Sequence, residues 1–216
     1  MIFSSLKKLR LFHSDALPWL GLFVEEKDSL QNDSELETPL EKARDSLETL
    51  EISYGSIFIV DSKSLSPILP FKKLVELRVL VACDTGCAFH LTDDDVHTLA
   101  TTLSCLKILY LGRPCSSDNR RCTVTSLMVL SVHCLYLEVL AIHFKTQTIV
   151  EDMKKLVDDR TWDNKLKCKL QYLSVGELKV NHRDSTVRAG LKLIFLNLEG
   201  LRTYILPFKL QIVMVW

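Results

Sequence analysis

Glycine is scarce in this chain, at 7 of 216 residues, and no two glycines lie within five positions of each other. The dinucleotide loop G-x-G-x-x-G, the phosphate loop G-x-x-x-x-G-K-[ST] and the nucleophile elbow G-x-S-x-G all need closely spaced glycines, so all three are excluded. H-E-x-x-H is missing too, and the seven cysteines (Cys83, Cys87, Cys105, Cys115, Cys122, Cys134 and Cys168) form no C-x-x-C pair. Neither sign of charge is in excess: 27 Lys and Arg balance 27 Asp and Glu, which disfavours a generic binder of polyanions. Long apolar runs are lacking. The stretch Leu17 to Val24 covers eight residues, and the apolar C-terminal region is broken by Lys192, Glu199, Arg202 and Lys209, so no membrane partner is expected. The opening Met-Ile-Phe-Ser-Ser-Leu-Lys-Lys-Leu-Arg sets charges inside what would have to be the apolar part of a signal peptide. An odd number of cysteines without such a signal predicts reduced thiols and a cytoplasmic or nuclear location. The Asn32-Asp33-Ser34 tripeptide then reads as a chance sequon.

What the chain has in excess is leucine, at 39 of 216 residues. Much of it falls in one recurring pattern, L-x-x-L-x-[apolar]. Copies begin at Leu6, Leu47, Leu74, Leu106, Leu137 and Leu170, with a decayed copy at Leu198, and successive starts lie 27 to 41 residues apart. Apolar residues at period two within each copy predict a strand. Helix signals lie between the strands. Thr92 is placed to cap a helix whose first turn carries Asp93, Asp94 and Asp95, and Val96, Leu99, Ala100 and Leu103 share one face of it. A second helix is expected over 124–134, with Leu127, Leu130 and Cys134 on one stripe. Weaker helical periods run over 148–157 and 185–195, and Pro67 and Pro70 predict a short irregular return segment near 64–71. One strand alternating with one helix or irregular segment predicts an α/β fold, a right-handed parallel solenoid in which each unit buries its apolar side against its neighbours. Residues 1–216 read as a single domain of about seven irregular repeats. A polar insertion is expected near 25–37, and an apolar extension, 206–216, falls outside the repeat pattern.

Three stretches carry a resemblance: Leu65 to Val79, Leu91 to Val96 with Leu99 and Ala100, and Cys134 to Phe144. They resemble leucine-rich repeats, and more narrowly the long, irregular repeats of fungal F-box proteins of the leucine-rich-repeat type. The resemblance implies a curved parallel sheet on a concave face, with helices and irregular segments on the convex face. It also implies a division of labour, in which the repeats hold a protein target while an F-box docks a cullin-based ligase that carries ubiquitin transfer. Two departures stand out. Cys83 and Cys115 sit at position ten of their repeats, one later than the family's usual Asn or Cys, and Met1 lies five residues before Leu6, so no F-box is expected within these 216 residues. A ligase adaptor is therefore expected as a partner only if an F-box is encoded upstream. The apolar end, Phe208 to Trp216, lacks the polar cap that repeat arrays carry, so the chain is expected to be a fragment.

Side chains able to do chemistry are few. Cys83, Cys87 and His90 form the most ligand-like cluster, but a structural zinc would need a fourth ligand from as far as His97 or Cys115. Small apolar packing is the simpler reading, and neither a metal nor a cofactor is expected. His133, Cys134 and His143 make no thiol and imidazole pair, because adjacent helical residues point apart and His143 leaves from the other side of a strand. Asp93, Asp94 and Asp95 diverge around a helix axis, which suits the dipole better than a cation. Lys165, Lys167 and Lys169 read as a solvated loop rather than a nucleic-acid contact. No catalytic residue is expected, and the chain is not expected to be an enzyme.

A strand that points positions four and six of the pattern inward must point positions three, five and seven outward. The outward residues run Lys8, Arg10, Phe12; Thr49, Glu51, Ser53; Glu76, Arg78, Leu80; Ile108, Tyr110, Gly112; Val139, Ala141, His143; and Tyr172, Ser174, Gly176. They grade from basic, through mixed charge, to aliphatic and aromatic. Tyrosines beside aliphatics suit protein contact, so the expected partner-binding residues are Glu76, Arg78, Ile108, Tyr110, Val139, His143 and Tyr172. The expected function is non-enzymatic protein recognition, as the substrate-binding repeats of an F-box-type ubiquitin ligase receptor. A stand-alone scaffold with no ubiquitin role and a non-functional truncated fragment are the alternatives.

Overall fold

The first six copies of the leucine pattern each fold as a strand that starts at the copy's third residue, whereas the seventh strand starts only at Thr203, the last position of the decayed copy; the seven strands lie side by side in the order in which they occur along the chain. The computed structural model describes residues 6–13, 43–54, 59–81, 88–112, 121–145, 151, 152, 155, 168–174 and 203–205. The strands are β1 (Lys8–His13), β2 (Thr49–Tyr54), β3 (Glu76–Val81), β4 (Ile108–Leu111), β5 (Val139–Ala141), β6 (Tyr172–Ser174) and β7 (Thr203–Ile205). Every neighbouring pair is parallel, which makes an open α/β sheet. Through β6 the register follows the sequence pattern residue for residue: Leu9, Leu50, Leu77, Leu109, Leu140 and Leu173 pair in one continuous row. At β7 it slips by three residues from the copy expected at Leu198, with Tyr172 opposite Thr203 and Leu173 opposite Tyr204.

Period two then decides the faces. β2, β3 and β4 alternate half-buried and buried residues along their whole length. Leu50, Leu77, Leu109 and Leu140 are fully buried, as are the leucines that open each unit, Leu47, Leu74, Leu106, Leu137 and Leu170. Ile52, Val79 and Leu111 fill the next inward row, and all of these join one core with the helix residues Val96, Leu99, Leu127 and Leu130. Truncating any one such leucine to alanine costs about 2–5 kcal/mol.

The backbone repeats as strictly as the side chains. The carbonyl of the second residue in each of the first five copies accepts two amides from the next unit. Lys7 O takes Glu48 N and Thr49 N, both at 2.9 Å; Glu48 O takes Val75 N and Glu76 N at 2.8 and 3.0 Å. Val75 O, Lys107 O and Glu138 O repeat this fork with Lys107 and Ile108, Glu138 and Val139, and Gln171 and Tyr172. Just ahead of three of the forks a tight turn delivers the opening leucine, with Leu74 N on Phe71 O at 3.0 Å, Leu106 N on Leu103 O at 3.2 Å and Leu137 N on Cys134 O at 3.0 Å.

The connections are short. The two prolines limit the segment after β2 to a single turn of helix, α1 (Ser62–Leu65), followed by a 3-10 turn, Ser66–Ile68, with proline in its first positions. Asp61 caps α1: its carboxylate accepts from Ser64 N at 2.9 Å and from the Ser64 hydroxyl at 2.8 Å. Burial alone would raise the Asp61 carboxyl, but these hydrogen bonds outweigh it and hold the group below its usual value. The aspartate-rich segment forms α2 (Asp93–Thr102), opened by Thr92 in a reciprocal capping box with Asp95. The next connection forms α3 (Val124–His133), capped by Thr123. Both helices match the sequence expectation to within a residue. Of the expected 148–157 helix, Glu151, Asp152 and Lys155 are helical. The expected 185–195 helix, the 25–37 insertion and the 206–216 extension lie outside the described residues.

Candidate protein-recognition surface

The outward rows of the sheet are set by the same register that aligns the leucines. One row runs Thr49, Glu76, Ile108, Val139 and Tyr172; the next runs Arg10, Glu51, Arg78, Tyr110, Ala141 and Ser174. Glu76, Arg78, Ile108, Tyr110, Val139 and Tyr172 are all half-buried on this face, as the alternation predicts.

Within the rows the carboxylates are already paired. Arg10 Nε lies 3.1 Å from a Glu51 carboxylate oxygen, bridging β1 and β2. Arg78 Nε donates to the Glu76 carboxylate on its own strand, two residues back and therefore on the same face. The Arg78 guanidinium carbon sits 4.6 Å from the centre of the Tyr110 ring, a cation and π-face contact. Tyr110 in turn stacks against Tyr172, with ring centres 6.4 Å apart and planes 29° apart. These tyrosines belong to β4 and β6, so the rings meet across β5 rather than on neighbouring strands. A small residue makes this approach possible: Ala141 is the β5 partner of Tyr110 and is buried. Burial, with the Tyr110 phenol next, pushes the Tyr172 hydroxyl above its ordinary pKa, against a hydrogen bond with the Ser174 side chain. The result is a fixed ledge of one guanidinium and two phenol rings, flanked by Ile108 and Val139.

His143 does not belong to this ledge. The alternation places it outward, but β5 ends at Ala141, and with the strand ends the period of two. Ile142, His143 and Phe144 are all buried, His143 with 6% of its surface exposed. Its ring stacks on Phe89 at 6.2 Å with a 10° angle between planes. Opposite it stands Gly112, which takes φ +93° at the end of β4. Ala141 and Ser174, also expected outward, are buried as well.

The remaining chemical candidates separate. Cys83, Cys87, Cys115, Lys165 and Lys167 lie outside the described residues, while Lys169 is exposed. Among the described residues no group of three or more His, Cys, Asp or Glu is placed to hold a metal ion, and no helix is long and apolar enough to cross a membrane. Cys134 donates its thiol hydrogen to Ala100 O at 3.7 Å and Leu103 O at 3.8 Å, a tie between units rather than a reactive pair with a histidine. His133 instead meets His97 of α2 edge to face, with ring centres 5.3 Å apart.

The aspartate run does more than face its own helix dipole. Asp95 closes the capping box of α2 and Asp94 is exposed, but Asp93 reaches the neighbouring helix. Its carboxylate accepts from Thr123 N at 2.8 Å, from the Thr123 hydroxyl at 2.7 Å and from the Ser126 hydroxyl. The signal for this contact was present in the sequence: α3 begins Thr123-Val-Thr-Ser126 with no acidic residue in its own first turn, so an acceptor for the amide of its capping residue has to come from outside the helix. The Arg78 and Tyr110 contact was signalled in part, since both hold position five of successive copies and pair in register; the rotamers that bring guanidinium over ring are not set by spacing. No protein-family model matches the chain, and no curated protein matches it either.

Proposed function

We propose that the chain is a non-enzymatic protein-recognition module, a solenoid of leucine-rich-repeat type that binds a protein partner on the outer face of its sheet. The observation that carries this reading is the preassembled row of Arg78, Tyr110 and Tyr172. Arginine and tyrosine dominate the energetics of protein contacts, and side chains already held by neighbours lose little entropy on binding. The in-register leucine rows support the repeat reading, because a sequence pattern repeated in space is the mark of that architecture. The narrower role, as the target-holding part of an F-box-type ubiquitin ligase receptor, rests on the sequence resemblance. It requires an F-box encoded upstream to dock the ligase adaptor.

The test compares partner capture by the wild type, by Tyr110→Ala with Tyr172→Ala, and by Tyr136→Ser on an exposed turn outside the strands. A partner held by the wild type and the Tyr136 variant, and lost by the double variant with an unchanged circular-dichroism spectrum, is the expected result. Equal capture by all three overturns the reading. The ligase role is tested separately, by whether the full-length native transcript encodes an F-box in frame.

A further inference from the structure

The charges on the outer face are unevenly exposed. Arg10 keeps 54% of its side chain exposed, against 17% for its partner Glu51. Arg78 keeps 31%, against 21% for Glu76. Lys8 is exposed on the same face of β1 and makes no ion pair among the described residues. The carboxylates therefore lie deeper and are consumed by intramolecular pairs, while the cationic ends stand furthest out. Five charged residues occupy this face from β1 to β3, three positive and two negative. Among the charged groups, what an approaching molecule meets first is positive, and beside it on β1 stands the exposed ring of Phe12. From β4 to β6 the face changes character to Ile108, Tyr110, Val139 and Tyr172, with no charge among them.

Neighbouring strands lie ~4.8 Å apart, so the path from β1 to β6 spans about 24 Å, which about seven extended residues would cross. We infer that the occupant of this face is an extended acidic segment of a protein. It lies across the strands with carboxylates over Lys8, Arg10 and Arg78, and with an aliphatic or aromatic side chain against Tyr110 and Tyr172. This deepens the recognition reading above and rests on it. Arg78 is the hinge between the two halves. Its Nε is spent on Glu76 and its plane lies over Tyr110, which leaves its terminal amino groups as the donors that can meet a carboxylate in a two-pronged contact.

The experiment pans a display library of random dodecapeptides against the full chain and measures the selected peptides by fluorescence anisotropy. The expected peptides carry Asp or Glu followed within a few residues by Leu, Phe or Tyr. Their affinity falls about tenfold on Arg10→Ala with Arg78→Ala, falls with added salt and is unchanged by Tyr136→Ser. Peptides that need Tyr110 and Tyr172 but show no acidic excess and no salt dependence overturn the charge inference and leave the recognition reading standing. A library that yields nothing sensitive to Tyr110→Ala with Tyr172→Ala overturns both. A single-stranded oligouridylate that binds this face more tightly than the peptides also overturns the inference, by assigning the positive half to phosphates.

Discussion

Asp93 opens one helix and caps the next, its carboxylate accepting from the Thr123 amide at 2.8 Å and the Thr123 hydroxyl at 2.7 Å. Helix-start amides have no partner inside their own helix, and here the preceding unit supplies one. The same pair of units is tied a second time by the Cys122 thiol, which donates to Leu91 O at 3.1 Å.

Replacing Asp93 with alanine removes a charge-assisted cap and leaves two hydroxyls and an amide to find water. The expected loss is about 2 kcal/mol in urea unfolding. Asp93→Asn keeps an acceptor oxygen and is expected to lose about half as much. Equal losses for the two variants would mean that packing, and not the hydrogen bonds, sets the cost.

The buried thiols give a pH signature. Burial holds both Cys122 and Cys134 up at about 12 against an ordinary 9.0, with Asp93 and Asp95 adding to Cys122 and the neighbouring Cys168 and Cys105 adding to Cys134. Between 9.0 and about 12 the unfolded thiols have lost their protons while the folded ones keep theirs. Folded stability is therefore complete below pH 9.0 and declines as the pH climbs toward about 12. Brief alkylation with iodoacetamide at pH 8, read by peptide mass spectrometry, is expected to label exposed Cys105 and to spare Cys122, Cys134 and Cys168. Labelling of Cys134 at the rate of Cys105 would contradict its burial.

Gly112 holds the end of β4 open for its neighbours. Its φ of +93° suits glycine, and a Cβ there would stand 2.6 Å from the Phe89 ring and 3.1 Å from His143 Nε2. Gly112→Ala is expected to cost about 2 kcal/mol and to shift the His143 ring resonances, because the Phe89 and His143 stack must part. Unchanged stability with unchanged resonances would show that the loop absorbs the methyl group.

Much of the architecture was legible because it rests on one repeated pattern. The six strand starts from Leu6 to Leu170, the capped helix after Thr92 and the proline-limited return after β2 all follow from residue type and spacing. His143 was misplaced because the length of a strand, unlike its start, is set by tertiary contacts: β2 runs six residues and β5 only three. The tyrosine pair was half legible. Both residues could be placed on the outer face, but their meeting over Ala141 depends on long side chains leaning across an intervening strand. Asp93 already satisfies a local rule as a dipole partner of its own helix, and its reach to Thr123 and Ser126 depends on how the neighbouring helix packs.

The forked carbonyls make the array a directional template, in which each unit presents an acceptor that only its successor fills. Cutting out Leu106 to Tyr136 would bring Glu138 N and Val139 N to the Val75 carbonyl that now holds Lys107 N and Ile108 N. The junction would be chemically the same as the one removed. Excising half a unit would instead leave a carbonyl facing the wrong residues and turn a leucine row toward water. The sheet can thus be shortened or lengthened by whole units, with the number of its strands as the quantity that changes.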